Sequence, residues 1–130
     1  AKSQHKTIVK FIQSEIMKCS LGDQIILKRI SSGNVVDQSD LCPKVNNITS
    51  GNNSYDVVSA FDYHFKAIAY KNVYHQQWYA TSVCSVSGKT VYNNNGQGGG
   101  TCITRQHNDE IIVGTNITPS ESLISKFKVQ

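Results

Sequence analysis

Residues 6–18 read KTIVKFIQSEIMK, and this stretch predicts the N-terminal helix on which the fold is built. Its apolar residues recur at spacings of one, three and four, which places them on one helical face: Ile8, Val9, Ile12 and Ile16. Gly22 is a natural stop signal, and Cys19 in the last turn can tie the helix to the rest of the chain. We therefore expect an amphipathic helix that packs on a sheet.

The residues after this helix predict a strand and then a long surface loop. Gln24–Ile30 is rich in β-branched and long apolar residues and ends at a turn signal in residues 31–34. Val36–Tyr55 is dominated by Asn, Ser, Gly and Asp, with Pro43 behind Cys42. A structureless loop of that length is uncommon, so we expect a disulfide at Cys42 to restrain it.

The middle of the chain predicts a β-hairpin. A short helix can begin at Tyr55–Phe61, but Asp62–Tyr70 then alternates apolar and polar side chains, as a strand with one wet face does. Lys71-Asn72 forms a tight connection to Val73–Val86, a long aromatic and β-branched run. These two runs are expected to pair.

The C-terminal third predicts several shorter strands. We expect strands at Lys89–Tyr92, Thr101–Arg105 and Glu110–Val113, with a glycine-rich turn over residues 93–100. The tail from Leu123 to Val129 fits either a last helical turn or an edge strand. The predicted fold class is α+β, with the N-terminal helix packed on a twisted antiparallel sheet and two disulfides.

Cysteines and glycosylation sequons predict an extracellular protein. The four cysteines are even in number and too widely spaced for a CxxC metal motif, which favours two disulfides over a zinc site: Cys19, Cys42, Cys84 and Cys102. The sequons begin at Asn47 and Asn52, and a sequon matters only in a eukaryotic secretory pathway.

Disulfide connectivity stays open, because four cysteines allow three pairings. We favour Cys19 with Cys42, which anchors the sequon-bearing loop, and Cys84 with Cys102, which brackets the hairpin before the glycine-rich turn. The sequence does not exclude a bridge between Cys19 and Cys102.

Length and charge set further bounds. The 130 residues fit a single domain, 1–130, and no run of about 18 apolar residues is present. The N-terminus lacks the apolar core of a signal peptide, so we expect a soluble, processed monomer. The net charge of +4 favours acidic partners, although a solvated basic face is the more common explanation of such an excess. We expect no cofactor and no metal.

No complete catalytic signature is visible. The glycines of residues 96–100 lack the pattern of a phosphate-binding loop, and there is no GxSxG motif. If the protein is an enzyme, His64 and His75 are its candidate acid and base, with Glu110 or Asp62 as the orienting carboxylate and Arg105 or Lys89 as the anion-stabilising group. A charged strand face exposed to water gives the same pattern.

Aromatic and basic residues suggest a binding surface. Tyr74, Trp78 and Tyr79 offer stacking surfaces for bases or sugars, although one alternating set belongs in the core. Lys89 and Arg105 supply positive charge beside them.

One segment resembles a known family. Lys89-Thr90-Val91-Tyr92-Asn93-Asn94-Asn95-Gly96-Gln97, returning through Cys102-Ile103-Thr104-Arg105, resembles the late hairpin of small secreted fungal guanyl-specific ribonucleases. The segment Tyr74-His75-Gln76-Gln77-Trp78 looks like the family strand that carries a catalytic glutamate. The resemblance implies a helix followed by a disulfide-bound antiparallel sheet, and RNA cleavage by a glutamate, an arginine and a histidine.

This chain departs from the family at the matching positions. Gln76 or Gln77 stands in place of the glutamate, Lys89 in place of the arginine and Arg105 in place of the histidine. Glutamine cannot act as a general base, and arginine cannot donate a proton near neutral pH. A ribonuclease-like scaffold without its catalytic residues is similar to secreted effectors of plant-pathogenic fungi.

Our leading hypothesis is a secreted, non-enzymatic binding protein, a virulence effector that acts on a host protein or RNA and can be delivered into a host cell. The alternative is a secreted ribonuclease or ribotoxin-like enzyme that uses the histidines. A second alternative is a carbohydrate-binding module built on Trp78 and nearby tyrosines.

Overall fold

A computed structural model of the protein describes residues 2–68, 81–83, 85–87, 90–92, 100–106, 109–118 and 121–129. Three helices precede most of the sheet: α1 (Lys2–Ser20), α2 (Cys42–Asn46) and α3 (Asn53–Ala67). The strands are β1 (Lys28–Ser31), β2 (Asn34–Asp37), β3 (Thr81–Val83), β4 (Ser85–Ser87), β5 (Thr90–Tyr92), β6 (Thr101–Gln106), β7 (Glu110–Thr118) and β8 (Glu121–Lys128). The predicted α+β class is confirmed.

The N-terminal helix is confirmed and is longer than the sequence pattern alone predicted. Ile8 and Ile12 are completely buried on its inner face. The helix ends in a Schellman motif, in which the amide of Asp23 donates to the carbonyl of Lys18 at 2.9 Å. Gly22 takes a φ of +79° there, so the predicted stop signal is correct.

The predicted turn at residues 31–34 is confirmed as the tip of the β1–β2 hairpin. Ser32 and Gly33 both have positive φ, as a two-residue type I′ turn requires. The predicted strand over Gln24–Ile30 is right only from Lys28 onward. Ile25 and Leu27 instead bury their side chains in the core.

The long loop predicted over Val36–Tyr55 is wrong, because it contains the end of β2, all of α2 and the start of α3. Asp40 organises the segment: its Oδ1 accepts the amide hydrogens of Ile25 at 3.0 Å and Cys42 at 3.1 Å. Pro43 lies in the first turn of α2. Amides of the first turn have no acceptor within the helix, so the missing N–H of proline costs no hydrogen bond there. Polar residues here begin and end helices as well as forming turns.

The strand predicted over Asp62–Tyr70 is also wrong, and with it the hairpin to Val73–Val86. Residues 62–67 complete α3, which begins at Asn53 and contains the whole of the short helix predicted at Tyr55–Phe61. The inner face of α3 repeats at helical spacing, with Val57, Phe61 and Phe65 buried. This helical pattern extends along α3, whereas the alternation of apolar and polar residues covers only its C-terminal part.

The main sheet has the order β3-β6-β7-β8. Strands β6, β7 and β8 run antiparallel, which confirms the strands predicted at Thr101–Arg105 and Glu110–Val113 and the edge-strand alternative for the tail. The β3–β6 pair is parallel, unlike the prediction of a purely antiparallel sheet.

The run Val73–Val86 is described only from Thr81, and there it forms two strands rather than one. Strand β3 joins the main sheet, whereas β4 pairs with β5 in a separate hairpin. Strand β5 confirms most of the strand predicted at Lys89–Tyr92. Residues 93–99 of the glycine-rich turn lie outside the described residues.

One cluster of buried apolar side chains joins the helices to the inner face of the sheet, and it includes Phe61, Ile103 and Val113. The predicted bridge between Cys19 and Cys42 is confirmed, with their Cα atoms 5.3 Å apart. It ties the end of α1 to the start of α2. The predicted partner of Cys102 is Cys84, which lies outside the described residues.

In the part of the chain that the structure describes, no helix is long and apolar enough to cross a bilayer.

Candidate functional site

His64, a candidate catalytic residue, lies on α3 rather than on a strand. Its Nδ1 accepts a hydrogen bond from the backbone amide of Lys28 at 3.0 Å, and its ring stacks on Phe11. Burial lowers the pKa of His64; nearby Lys28 lowers it further and Glu15 raises it. The imidazole is therefore held neutral, with Nδ1 already occupied as an acceptor.

Arg105 and Glu110 do not meet His64 or each other. Arg105 stands opposite Ile111 in the β6–β7 ladder, and Glu110 is the residue before Ile111. Neighbours along a strand point to opposite faces, so Arg105 and Glu110 lie on opposite faces of the sheet. The fourth candidate, His75, lies outside the described residues, as do the predicted binding residues Tyr74, Trp78, Tyr79 and Lys89.

Arg105 has a defined place against the start of α3. It donates a hydrogen bond to the hydroxyl of Ser54 at 2.7 Å and lies over the ring of Tyr55, 5.8 Å from its centroid. Such a cation over a tyrosine ring contributes about 0.5–1 kcal/mol at an exposed site. Arg105 thus connects the sheet to the N-terminal end of α3.

The two predicted sequons flank helices at the surface. Asn47 follows α2 and Asn52 precedes α3, and both are exposed. A third NxT pattern at Asn116 was missed in the sequence, but Asn116 is only 9% exposed and its Oδ1 accepts a hydrogen bond from Ser122. A folded chain has room for a glycan at the first two positions only.

A second polar cluster lies beneath the start of α1. His5 contacts two hydroxyls, that of Thr115 through Nδ1 at 2.7 Å and that of Ser125 through Nε2 at 2.8 Å. Gln4 donates to Thr101, which in turn contacts Thr115. Burial lowers the pKa of His5. No carboxylate among the described residues orients this imidazole as a catalytic serine–histidine pair requires, so the cluster joins α1 to the sheet.

An open groove runs along the outer face of α3 and encloses about 390 Å³. We call it the α3 groove. Its helical wall comprises Tyr55, Asp56, Ser59, Ala60 and Tyr63. Its opposite wall comes from the β1–β2 hairpin and the segment that follows it: Arg29, Asp37, Gln38, Ser39, Asp40, Leu41 and Lys44.

Two tyrosine rings lie in the helical wall of this groove. Tyr55, Ser59 and Tyr63 are spaced four residues apart and so follow one helical face. The tyrosines are 49% and 54% exposed, and eight residues separate them by about 12 Å along the helix. In the sequence, only the four-residue spacing of Tyr55, Ser59 and Tyr63 indicates this arrangement. The spacing has that meaning only if the segment is recognised as a helix.

The groove adjoins, at Tyr63, a second recess of about 470 Å³ whose described lining is Arg29, Ile30, Tyr63 and Lys66. We call this part the Tyr63 recess. Arg29 and Tyr63 line both spaces, so they mark the junction between them.

Most charges of the α3 groove are already paired. Lys44 binds Asp56 at 2.9 Å, and Asp37 binds Lys28. In the adjoining Tyr63 recess, Lys66 binds Asp62, whose side chain is only 4% exposed, at 2.7 Å. Arg29 and Asp40 are the exceptions: within the described part of the chain neither forms an ion pair, and Arg29 is exposed.

Polar side chains in the opposite wall are held in place by the backbone. Gln38 donates both amide hydrogens, to the carbonyls of Lys28 at 2.7 Å and Ala60 at 2.9 Å. Its Oε1 is left to accept. Asp40 likewise uses Oδ1 to bind two amides, as described above, and retains its second oxygen. The wall therefore presents acceptors whose positions are fixed before any ligand arrives.

Comparison with models of known protein families, with curated proteins and with solved structures finds no match for this chain.

Proposed function

We propose that this chain is a secreted, non-enzymatic binding protein that holds a carbohydrate chain in the α3 groove. The observation that carries the proposal is the pair Tyr55 and Tyr63, half-exposed on one face of α3 beneath a wall of fixed polar side chains. The proposal combines two of the hypotheses drawn from the sequence, the non-enzymatic binding protein and the carbohydrate-binding module. It differs from the second in placing the site on α3.

The chemistry of a sugar matches this lining. A pyranose ring presents an apolar C–H face that packs on an aromatic ring and a rim of hydroxyls that both donate and accept hydrogen bonds. The tyrosine rings serve the first requirement. Gln38, Asp40 and Ser59 serve the second with an amide oxygen, a carboxylate oxygen and a hydroxyl.

The same groove is a poor match for RNA. Phosphate backbones are held by cations that replace counterions, and affinity depends on how many are available. Here Lys44 and, in the adjoining recess, Lys66 already bind carboxylates, and Asp40 adds a negative charge to the wall, so Arg29 is the single cation of the described lining that is left for a phosphate. The occupied Nδ1 of His64 likewise gives no support to the ribonuclease alternative.

An extracellular location is part of the proposal. It is supported by the Cys19–Cys42 bridge and by two sequons at exposed positions, Asn47 and Asn52. We also propose that the second bridge joins Cys84 to Cys102. Its support is that Cys19 and Cys42 bind each other and that no described cysteine is a free thiol.

The test is co-sedimentation of the purified protein with a panel of insoluble polysaccharides, followed by titration calorimetry with soluble oligosaccharides of those that bind. We expect Tyr55→Ala and Tyr63→Ala each to weaken binding about tenfold, the loss of roughly 1.4 kcal/mol of ring contact. Met17→Ala, at a side chain 61% exposed on α1, is the control and should bind normally.

Two results contradict the proposal. One is an absence of binding to every carbohydrate in the panel by a protein with a folded circular dichroism spectrum. The other is carbohydrate binding that neither tyrosine substitution weakens. Cleavage of labelled RNA by the wild-type protein would instead revive the enzyme alternative.

A further inference from the structure

We propose that the carbohydrate carries a uronate unit, and that Arg29 binds its carboxylate at the junction of the α3 groove and the Tyr63 recess. This inference rests on the proposed function. It adds a charge and a direction to the ligand: the acidic sugar unit lies at the Tyr63 end.

Arg29 is placed to make this contact. It lies on β1 opposite Val36 in the hairpin, is exposed, and lines both the α3 groove and the Tyr63 recess. A guanidinium presents two parallel N–H donors that match the two oxygens of a carboxylate. Binding costs no existing ion pair, because no carboxylate of the described residues occupies Arg29.

The charges differ between the two ends of the site. The α3 groove is lined by Asp37, Asp40 and Asp56 together with Lys44; Lys28 and Lys44 bind Asp37 and Asp56, so Asp40 is the carboxylate that no cation of the described residues pairs. The described lining of the Tyr63 recess contains Arg29 and Lys66 and no carboxylate, and Lys66 binds the buried Asp62. Arg29 therefore leaves an excess of positive charge in the Tyr63 recess.

This asymmetry favours a carboxylate-bearing sugar over a densely charged polymer. A polyanion would also place a negative group against Asp40, where like charges repel. A chain with one acidic unit at the Tyr63 end satisfies Arg29 and leaves Asp40 to accept a sugar hydroxyl. Ile30 and the ring of Tyr63 supply apolar contact beside the carboxylate.

The experiment compares three soluble oligosaccharides of equal length by titration calorimetry: one with a single uronate unit, here called the oligouronate, its methyl ester and a neutral analogue. The methyl ester keeps the sugar backbone and removes the charge. We expect the wild-type protein to bind the oligouronate about tenfold more tightly than the ester, and the difference to shrink as salt is raised.

Substitutions assign the preference to one residue. Arg29→Gln is expected to bind the oligouronate and the ester equally, and Arg29→Lys to retain only part of the preference because it lacks the paired donors. Lys126→Gln removes an exposed charge on β8, outside the groove, and serves as the matched control that keeps the full preference. Circular dichroism verifies that each variant is folded.

The outcomes separate the inference from the proposed function. Equal wild-type affinity for the oligouronate and the ester contradicts the inference and leaves carbohydrate binding intact. A preference that persists in Arg29→Gln, or that Lys126→Gln also removes, contradicts the role of Arg29. Failure of all three ligands, and of the polysaccharide panel, contradicts the proposed function itself.

Discussion

The backbone amide of Lys28 donates a hydrogen bond to Nδ1 of His64, with 3.0 Å between the two nitrogens. The bond fastens β1, which carries Arg29, to α3, which carries Tyr55 and Tyr63. The imidazole also stacks on Phe11 of α1, with ring centroids 4.9 Å apart. His64 therefore holds together the two walls of the α3 groove.

Replacing His64 by alanine should destabilise the protein without altering any RNA-cleaving activity. The change leaves the amide of Lys28 without its acceptor and removes the ring from Phe11, so we expect a loss of about 2–3 kcal/mol in the free energy of unfolding. Urea denaturation measures it. Met17→Ala should change the free energy by less than about 0.5 kcal/mol, and an unchanged midpoint in His64→Ala would contradict the structural role.

Stability should fall on mild acidification. Burial lowers the pKa of both His5 and His64 below the ordinary value of 6.5. The unfolded chain thus binds these protons at a higher pH than the folded chain does. The contribution of the two neutral histidines to the free energy of unfolding is complete above pH 6.5. It is lost as the pH falls through the lowered pKa values of the folded state.

The check is the thermal midpoint measured from about pH 7.5 down to about pH 5, a window in which ordinary carboxylates remain mostly ionised. The double variant His5→Gln, His64→Gln should be less stable at the upper pH and less sensitive to acidification. A wild-type midpoint that stays level or rises toward pH 5 is the opposite of the expected result.

The Cys19–Cys42 bridge should contribute about 3 kcal/mol, because it closes a separation of 23 residues in the unfolded chain. Denaturation of the double alanine variant measures this contribution. Alkylation without reductant should add no label, whereas reduction should expose all four cysteines. Uptake of two labels before reduction would disprove the proposed bridge between Cys84 and Cys102.

Expression through a eukaryotic secretory pathway should add glycans at Asn47 and Asn52 of the folded protein and leave Asn116 unmodified. The first two side chains are exposed, whereas Asn116 is buried against Ser122. Peptide mass analysis before and after deglycosylation locates the glycans. A glycan on Asn116 of the soluble, folded protein would be incompatible with the described packing.

The sequence predicted the elements whose signals are local. The period of Ile8 and Ile12 identifies α1, and Ser32-Gly33 identifies the hairpin turn. The C-terminal half of α3 was misassigned because Tyr63, Phe65 and Ala67 alternate with polar residues, and only burial of Phe61 and Phe65 against α1 and the sheet decides between the two periods.

The candidate site was beyond sequence-based prediction for a related reason. Arg29 and Tyr63 are brought together by the packing of the hairpin on α3. Nothing in the sequence around either residue predicts that they lie close together. The polar composition of residues 36–55 also suggested a loop. In the structure the side chains of Gln38 and Asp40 form hydrogen bonds with the backbone, and this polar segment is an ordered wall of the groove.

The most direct test of the central claim is an NMR titration of the isotope-labelled protein with an oligosaccharide that it retains in the polysaccharide panel. We predict chemical-shift changes confined to the α3 groove and the Tyr63 recess, strongest at Tyr63 and Arg29, and much smaller in Tyr63→Ala at a ligand concentration equal to the wild-type Kd. Changes that map to the outer face of β8, or binding that leaves α3 unperturbed, would contradict the account.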